Sequence, residues 1–148
     1  MNKKEIVEAI ITAFRHKKKV MICGNGGSAT MAQHFAGEFV GKYLHDRYPL
    51  PAISLTSETS TITAIANDYG YDQIFSRQIQ ALGTNGDILI VLSTSGTSNN
   101  CLIAMQTATK LGIYVIDFPR IGSSTPEIQE NQFRLMHAVC KEVEEAFI

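Results

Sequence analysis

The chain has 148 residues, 13 Lys and Arg against 14 Asp and Glu, a formal net charge of −1, and 45% hydrophobic residues. This is the composition of one globular domain, able to bury about two-thirds of its unfolded surface without a disulfide or metal staple. The balanced charge argues against a nucleic-acid binder. No apolar run nears the ~20 residues of a membrane span and no signal-peptide core opens the chain, while the three scattered cysteines, Cys23, Cys101 and Cys140, suit a reducing cytoplasm.

Residues 4–18 place Ile6, Ile10 and Phe14 four apart with Ala9 and Ala13 beside them, which predicts an amphipathic helix. Its basic end, Arg15 to Lys19, suits the negative end of the helix dipole. Val20 to Cys23 predicts a buried strand running into Gly24-Asn25-Gly26-Gly27-Ser28, followed by a helix to about Gly41. Ala52 to Leu55 reads as a second strand, with a helix from about Glu58 to Ala66, a polar turn at Asn67-Asp68-Tyr69-Gly70, and a helix over about 72–82. Asp87 to Leu92 is the strongest strand signal and ends in Ser93-Thr94-Ser95-Gly96-Thr97-Ser98, after which a helix runs to about Leu111. Ile113 to Ile116 is a fourth strand, and Pro126, preceded by Thr125 as cap, opens a long final helix. Strands that alternate with helices and read as continuous apolar runs imply an α/β domain, a parallel sheet covered by helices on both faces. Binding loops of such sheets lie at the carboxyl ends of the strands, and both Gly/Ser-rich segments fall there.

Ser93 to Ser98 sets five hydroxyl residues and a glycine between a strand and a helix N-terminus. Free N–H groups and the positive dipole end favour an anion there, with Ser93, Thr94, Ser95 and Ser98 able to donate to phosphate oxygens. The Gly24–Ser28 loop is neither GxGxxG nor a P-loop, so it points to a small phosphorylated metabolite rather than a nucleotide. Gly26 and Gly27 allow close approach of a ligand, and Asn25 offers an amide donor and acceptor. His34 and Glu38 are four apart on the next helix and share one face, the pattern of a surface hydrogen bond or of two metal ligands. Gln129 and His137 lie on one side of the last helix about two turns apart, a spacing at which one ion is reached only if the two lean together.

Four segments together resemble the sugar-isomerase (SIS) domain: GNGGSATMAQHFAGEFVGKY over 24–43, ANDYGYDQIFSRQI over 66–79, LSTSGTSNN over 92–100 and TPEIQENQFRLMHAVCKEVE over 125–144. Within that family they are most similar to the phosphoheptose isomerases. The resemblance covers nearly the whole chain as one domain. It implies a flavodoxin-like three-layer fold, a homotetramer with active sites between subunits, and conversion of sedoheptulose 7-phosphate to D-glycero-D-manno-heptose 7-phosphate for heptose-containing cell-surface polysaccharide such as lipopolysaccharide or capsule. It places zinc on His34, Glu38, Gln129 and His137, the base at Glu38 and the acid at His137. It places substrate contacts at Asn25, Gly26, Gly27, Glu38, Asn67, Asp68, Ser93, Thr94, Ser95, Ser98 and Gln129. The alternative is a non-catalytic SIS module that binds a sugar phosphate or a protein partner, of the replication-initiator-associating type.

Three features depart from the pattern. Lys42 stands at a position where arginine is usual, and the N-terminus is short by about one helix. Ile116 passes directly to Asp117-Phe118-Pro119 where a glycine-rich loop, a short helix and another strand are expected. A parallel crossover needs about a dozen residues, so Ile116 and residues 117–121 cannot be successive parallel strands; either a segment is missing at that junction, the favoured expectation, or the fifth strand is absent.

Overall fold

A computed structural model describes all 148 residues. In chain order the elements are α1 (Lys3–Arg15), β1 (Val20–Gly24), α2 (Gly27–Val40), β2 (Ala52–Ser54), α3 (Thr59–Tyr69), a 3₁₀ turn (Tyr71–Gln73), α4 (Ser76–Leu82), β3 (Ile88–Leu92), α5 (Asn99–Lys110), β4 (Tyr114–Asp117) and α6 (Thr125–Glu145). The four strands form one parallel sheet in the order β2-β1-β3-β4. This is the strand order with which the flavodoxin-like doubly wound fold begins.

Side-chain alternation along the strands splits the core in two. Val20, Ile22, Ile88, Ile90, Leu92 and Ile116 point to one face, where they pack with Ile6, Ile10 and Phe14 of α1, Phe35 and Phe39 of α2, and Met136, Val139 and Val143 of α6. Met21, Cys23, Leu89 and Val91 point to the other, against Phe75, Ile79, Cys101, Ala104 and Ala108 of the α4 and α5 side. Each central strand is therefore apolar at every position, because both of its faces are covered. The result is a three-layer sandwich with α1, α2 and α6 on one side.

Local boundaries follow particular residues. Lys17, at φ 58, turns the chain after α1, which ends at Arg15 rather than Lys18. The polar stretch predicted as a turn is instead the last turn of α3, which carries Asn67, Asp68 and Tyr69 in helix and stops at Gly70, φ 94. The helix predicted over 72–82 divides into the 3₁₀ turn and α4. At α6 the cap is Ser124, not Thr125, with its hydroxyl facing the Glu127 N–H. β4 passes unbroken through Ile116 and Asp117, the Phe118 N–H bonds the Val91 carbonyl, and the chain turns at once toward α6 with no fifth strand.

Candidate active site

The carboxyl edge of the sheet carries both glycine- and serine-rich loops side by side, because β1 and β3 are neighbours with Gly24 opposite Leu92. Gly24 is required by that closeness: a Cβ there would lie 2.7 Å from the Leu92 carbonyl oxygen and 2.9 Å from the Ser28 Cβ. In the second loop the Ser93 hydroxyl accepts the Gly96 N–H at 3.0 Å and the Ser95 hydroxyl accepts the Thr97 N–H at 3.1 Å. Ser98 caps α5 through its backbone alone, so its hydroxyl and the first N–H groups of α5 stay open. Gly96 takes φ 72, and the Arg120 guanidinium, forked onto Asp117 at 2.7 and 2.9 Å, rests against its α-carbon.

α6 lies beside α2 and supplies the other wall. The Gln132 amide, 1% exposed, donates to the Ser93 carbonyl at 3.3 Å, tying α6 to the hydroxyl loop. Gln129 sits over Gly27, where an added Cβ would come 2.8 Å from its Nε2. Between the two helices opens a cleft of about 460 Å³ bordered by Gly27, Thr30, Met31, His34, Gln129 and Phe133. That volume is in the range of small-molecule sites.

On the flank of this cleft His34, Glu38 and His137 converge. The His34 Nε2 lies 3.0 Å from the Glu38 Oε1 and 3.5 Å from the His137 Nε2, and one ligand atom of each residue falls within 4.8 Å of the others. The Phe133 ring packs edge-on to both imidazoles, with centroids 5.1 Å from His34 and 4.5 Å from His137, and the Tyr43 ring lies 5.4 Å from His137 at a tilt of 37°. Two imidazole nitrogens and a carboxylate oxygen within 4.8 Å of one another are a donor set suited to a borderline divalent cation. Gln129 adds an amide oxygen, a weaker ligand, along the same cleft. The group assembles within one chain.

A buried ion pair holds these helices in register. The Glu144 carboxylate on α6 accepts the N–H groups of Tyr43, Leu44 and His45 at 2.8, 2.7 and 2.9 Å, and the Arg47 Nε lies 3.4 Å from its Oε1. Both side chains are 1% exposed. Burial alone would raise the Glu144 carboxyl, but the three N–H donors and the Arg47 charge outweigh it and hold it below its ordinary value. The Arg47 guanidinium donates in turn to the carbonyls of Glu38, Phe39 and Gly41 at the end of α2. A cation is thereby fixed at a helix C-terminus next to the backbone of Glu38.

Of the residues expected at the site, the structure brings Gly27, His34 and Gln129 to one cleft and His34, Glu38 and His137 to one point on its flank, while Ser93 meets α6 only through the Gln132 amide. The Asn25 amide is engaged by protein groups, Asn100 and Tyr71. Asn67 and Asp68 are exposed, bond to each other at 3.0 Å and make no hydrogen bond to either loop. Asn100, Tyr71, Arg47 and Glu144 were not foreseen. Asn100, Tyr71 and Glu144 lie inside the quoted segments 92–100, 66–79 and 125–144, whereas nothing in the sequence marks Arg47.

Comparison with known proteins identifies the family. A family model described as "SIS domain" matches residues 2–118. The phosphoheptose isomerase of Campylobacter concisus is 44% identical over 156 aligned positions, covering 95% of this chain and 82% of that protein. That of Clostridium acetobutylicum is 47% identical, covering 94% and 79%. Among solved structures, a phosphoheptose isomerase from Francisella tularensis superposes with a TM-score of 0.92 at 35% identity, covering 97% of this chain and 85% of that one. The enzyme from Neisseria gonorrhoeae gives 0.88 at 36%, with the same coverages. This chain belongs to the SIS-domain family, in its phosphoheptose isomerase branch.

Proposed function

We propose that the chain is an aldose–ketose isomerase that converts sedoheptulose 7-phosphate to D-glycero-D-manno-heptose 7-phosphate, a precursor of heptose-containing surface polysaccharide. The observation that carries this reading is the meeting of His34, Glu38 and His137 on the flank of a cleft between α2 and α6, in a chain 44–47% identical to named phosphoheptose isomerases. A protein-binding or sensing module has no need of that meeting, and no observation favours one.

The reaction moves a carbonyl from C2 to C1. Glu38 takes the C1 proton, the C1–H electrons become the C1–C2 double bond of an enediol, and the C2 oxygen takes a proton from His137. The C1 hydroxyl then gives its proton to the neutral His137, re-forming a carbonyl at C1 and restoring the acid, while the C1–C2 double-bond electrons take a proton at C2 from the Glu38 carboxyl. A carboxylate suits removal of a carbon-bound proton, and an imidazole can both give and take a proton at the sugar oxygens. The phosphate is held by the Ser93, Thr94, Ser95 and Ser98 hydroxyls and the α5 N-terminus, so binding energy remote from the carbonyl orients the reacting carbons. Gln129, over Gly27, and the Asn25–Gly27 loop border the sugar, and Asn67 and Asp68 belong to the same proposed contact set. His34, Glu38, His137 and Gln129 fit zinc by donor type. When bound there, zinc supplies Lewis-acid polarisation of the carbonyl and stabilises developing negative charge. We place the working enzyme in the cytoplasm as a homotetramer whose subunit junctions complete the site. Part of what the longer relatives carry and this chain lacks we assign to the Ile116–Asp117 junction.

The test is isomerisation of sedoheptulose 7-phosphate by the zinc-loaded protein, with metal content measured alongside. Glu38→Gln and His137→Ala should each lower kcat by roughly 10²-fold or more, the usual share of a general acid or base, without loss of folding. Absence of turnover in the loaded wild type, or near-normal turnover in either variant, overturns the assignment.

A further inference from the structure

Asn25 sits in the first loop, directly after β1, and Asn100 lies in the first turn of α5, directly after the second loop. Asn100 is 2% exposed. Their amides pair reciprocally: the Asn25 Nδ2 donates to the Asn100 Oδ1 at 2.8 Å, and the Asn100 Nδ2 donates to the Asn25 Oδ1 at 2.8 Å. The Tyr71 hydroxyl donates to the same Asn25 Oδ1 at 2.9 Å, and the Asn25 Nδ2 also faces the Cys101 Sγ at 3.8 Å. A primary amide has two N–H donors and two acceptor lone pairs. All four of those on Asn25 are engaged by protein groups, which leaves no polar capacity for a ligand. The N–H groups of Gly26 and Gly27, one residue and two residues on, have no partner in the chain.

We infer that the Asn25 side chain is a clamp and not a substrate ligand, and that Asn100, with Tyr71, is a positioning residue that locks the first loop onto the second. The first loop then meets the sugar phosphate through the free backbone N–H groups of Gly26 and Gly27. Their direction is fixed because the residue before them is anchored to the first turn of the helix that holds the phosphate. Gly26 takes φ +59, a conformation costly for other residues, so the loop does not keep this shape by local preference alone. An amide pair between the two loops supplies a constraint that links where the phosphate sits to where the sugar sits. This inference rests on the isomerase reading for its kinetic arm only.

The experiment is a double-mutant cycle in the full-length protein, Asn25→Ala, Asn100→Ala and the double variant, with hydrogen exchange followed in parallel. If the amides act as one clamp, each single change lowers kcat/KM for sedoheptulose 7-phosphate by a similar factor. A shift of about 1 Å at the reacting centre gives on the order of 10- to 100-fold. The double variant should be no worse than the poorer single, since residues acting as a unit are not additive. Tyr71→Phe should cost a few-fold in the wild-type background and nothing in the Asn25→Ala background. In Asn100→Ala the Ser28 and Ala29 amides, which bond the Asn25 and Gly26 carbonyls, should exchange faster while Met21 to Cys23 stay protected. Additive kinetic effects, or an Asn25→Ala loss far above that of Asn100→Ala, would make Asn25 a direct ligand and overturn the inference, as would unchanged exchange at Ser28 and Ala29. If the wild type does not turn over the heptulose at all, the isomerase reading fails and the exchange arm alone decides the clamp.

Discussion

Glu144→Gln tests the claim that a buried ion pair sets the register between the two helices that carry His34, Glu38 and His137. The change keeps the volume and removes the charge. In the native protein one carboxylate oxygen accepts the Tyr43 N–H with the Arg47 Nε 3.4 Å away, and the other accepts the N–H groups of Leu44 and His45. A glutamine has one oxygen and one NH₂, so whichever way it turns, donors face donors on one side and the Arg47 charge loses its partner. Breaking one side of a buried pair costs about 3–5 kcal/mol, because the remaining charge stays out of water. An unfolding entropy of about 2.1 cal/mol/K per residue gives this chain roughly 0.3 kcal/mol/K, so Tm should fall by about 10–16 °C. Thermal unfolding at fixed protein and metal concentration reads the shift.

The pH dependence supplies a second check with a definite sign. The folded-state value of Glu144 is depressed, so its contribution is complete above the unfolded carboxyl value, about 4.3, and is lost as pH falls through that value toward the folded one. The gap in Tm between wild type and Glu144→Gln should therefore be widest near neutrality and shrink below about pH 4. A drop smaller than about 3 °C at pH 7, or a gap independent of pH between 7 and 3, would refute the argument that the pair is both buried and coupled to the α2–β2 connection.

Gly24→Ala should destabilise by roughly 1–3 kcal/mol through overpacking, since its methyl would press on the Leu92 carbonyl and the Ser28 Cβ. An unchanged urea midpoint would contradict the tight approach of β1 to β3. Burial, followed by the Glu38 and Glu144 charges, pushes the Cys140 thiol far above its ordinary range. Iodoacetamide should therefore leave Cys140 unlabelled in the native protein at pH 8 and label it on unfolding, and rapid native labelling would show the α6 core to be open.

The sheet was legible because both central strands are buried on both faces, so Val20 to Cys23 and Ile88 to Leu92 read as unbroken apolar runs. The two loops were legible because turn chemistry at a strand's carboxyl end has few other causes. Helix ends were less so. Asn67, Asp68 and Tyr69 have turn-like composition yet complete α3, and the stop comes from Gly70, whose positive φ was not deducible from its neighbours. Ser124 and Thr125 are both competent caps, and which one acts depends on how the chain leaves β4. Asn100 and Tyr71 were invisible as partners of Asn25, because an amide pair across 75 residues is set by strand order and not by local pattern.

His137 shows how tertiary geometry turns an unremarkable residue into a candidate acid. Eight residues from Gln129, it shares a ligand with it along α6 alone only if the two side chains lean together. The contacts between the helices advance together: Gly27 meets Gln129, His34 meets Phe133 and then His137, and the stretch of Tyr43 to His45 after α2 meets Glu144. The two helices therefore run in the same direction, as βαβ connections on one face of a parallel sheet require. Steps of three and four residues along each keep one stripe facing the other. One turn of slip would move His137 about 5.4 Å along the axis, more than the 4.8 Å that now encloses all three ligand atoms. The Glu144–Arg47 anchor two turns beyond His137 opposes that slip, so the residues fixing the register are as necessary to the His34–Glu38–His137 meeting as the three side chains themselves.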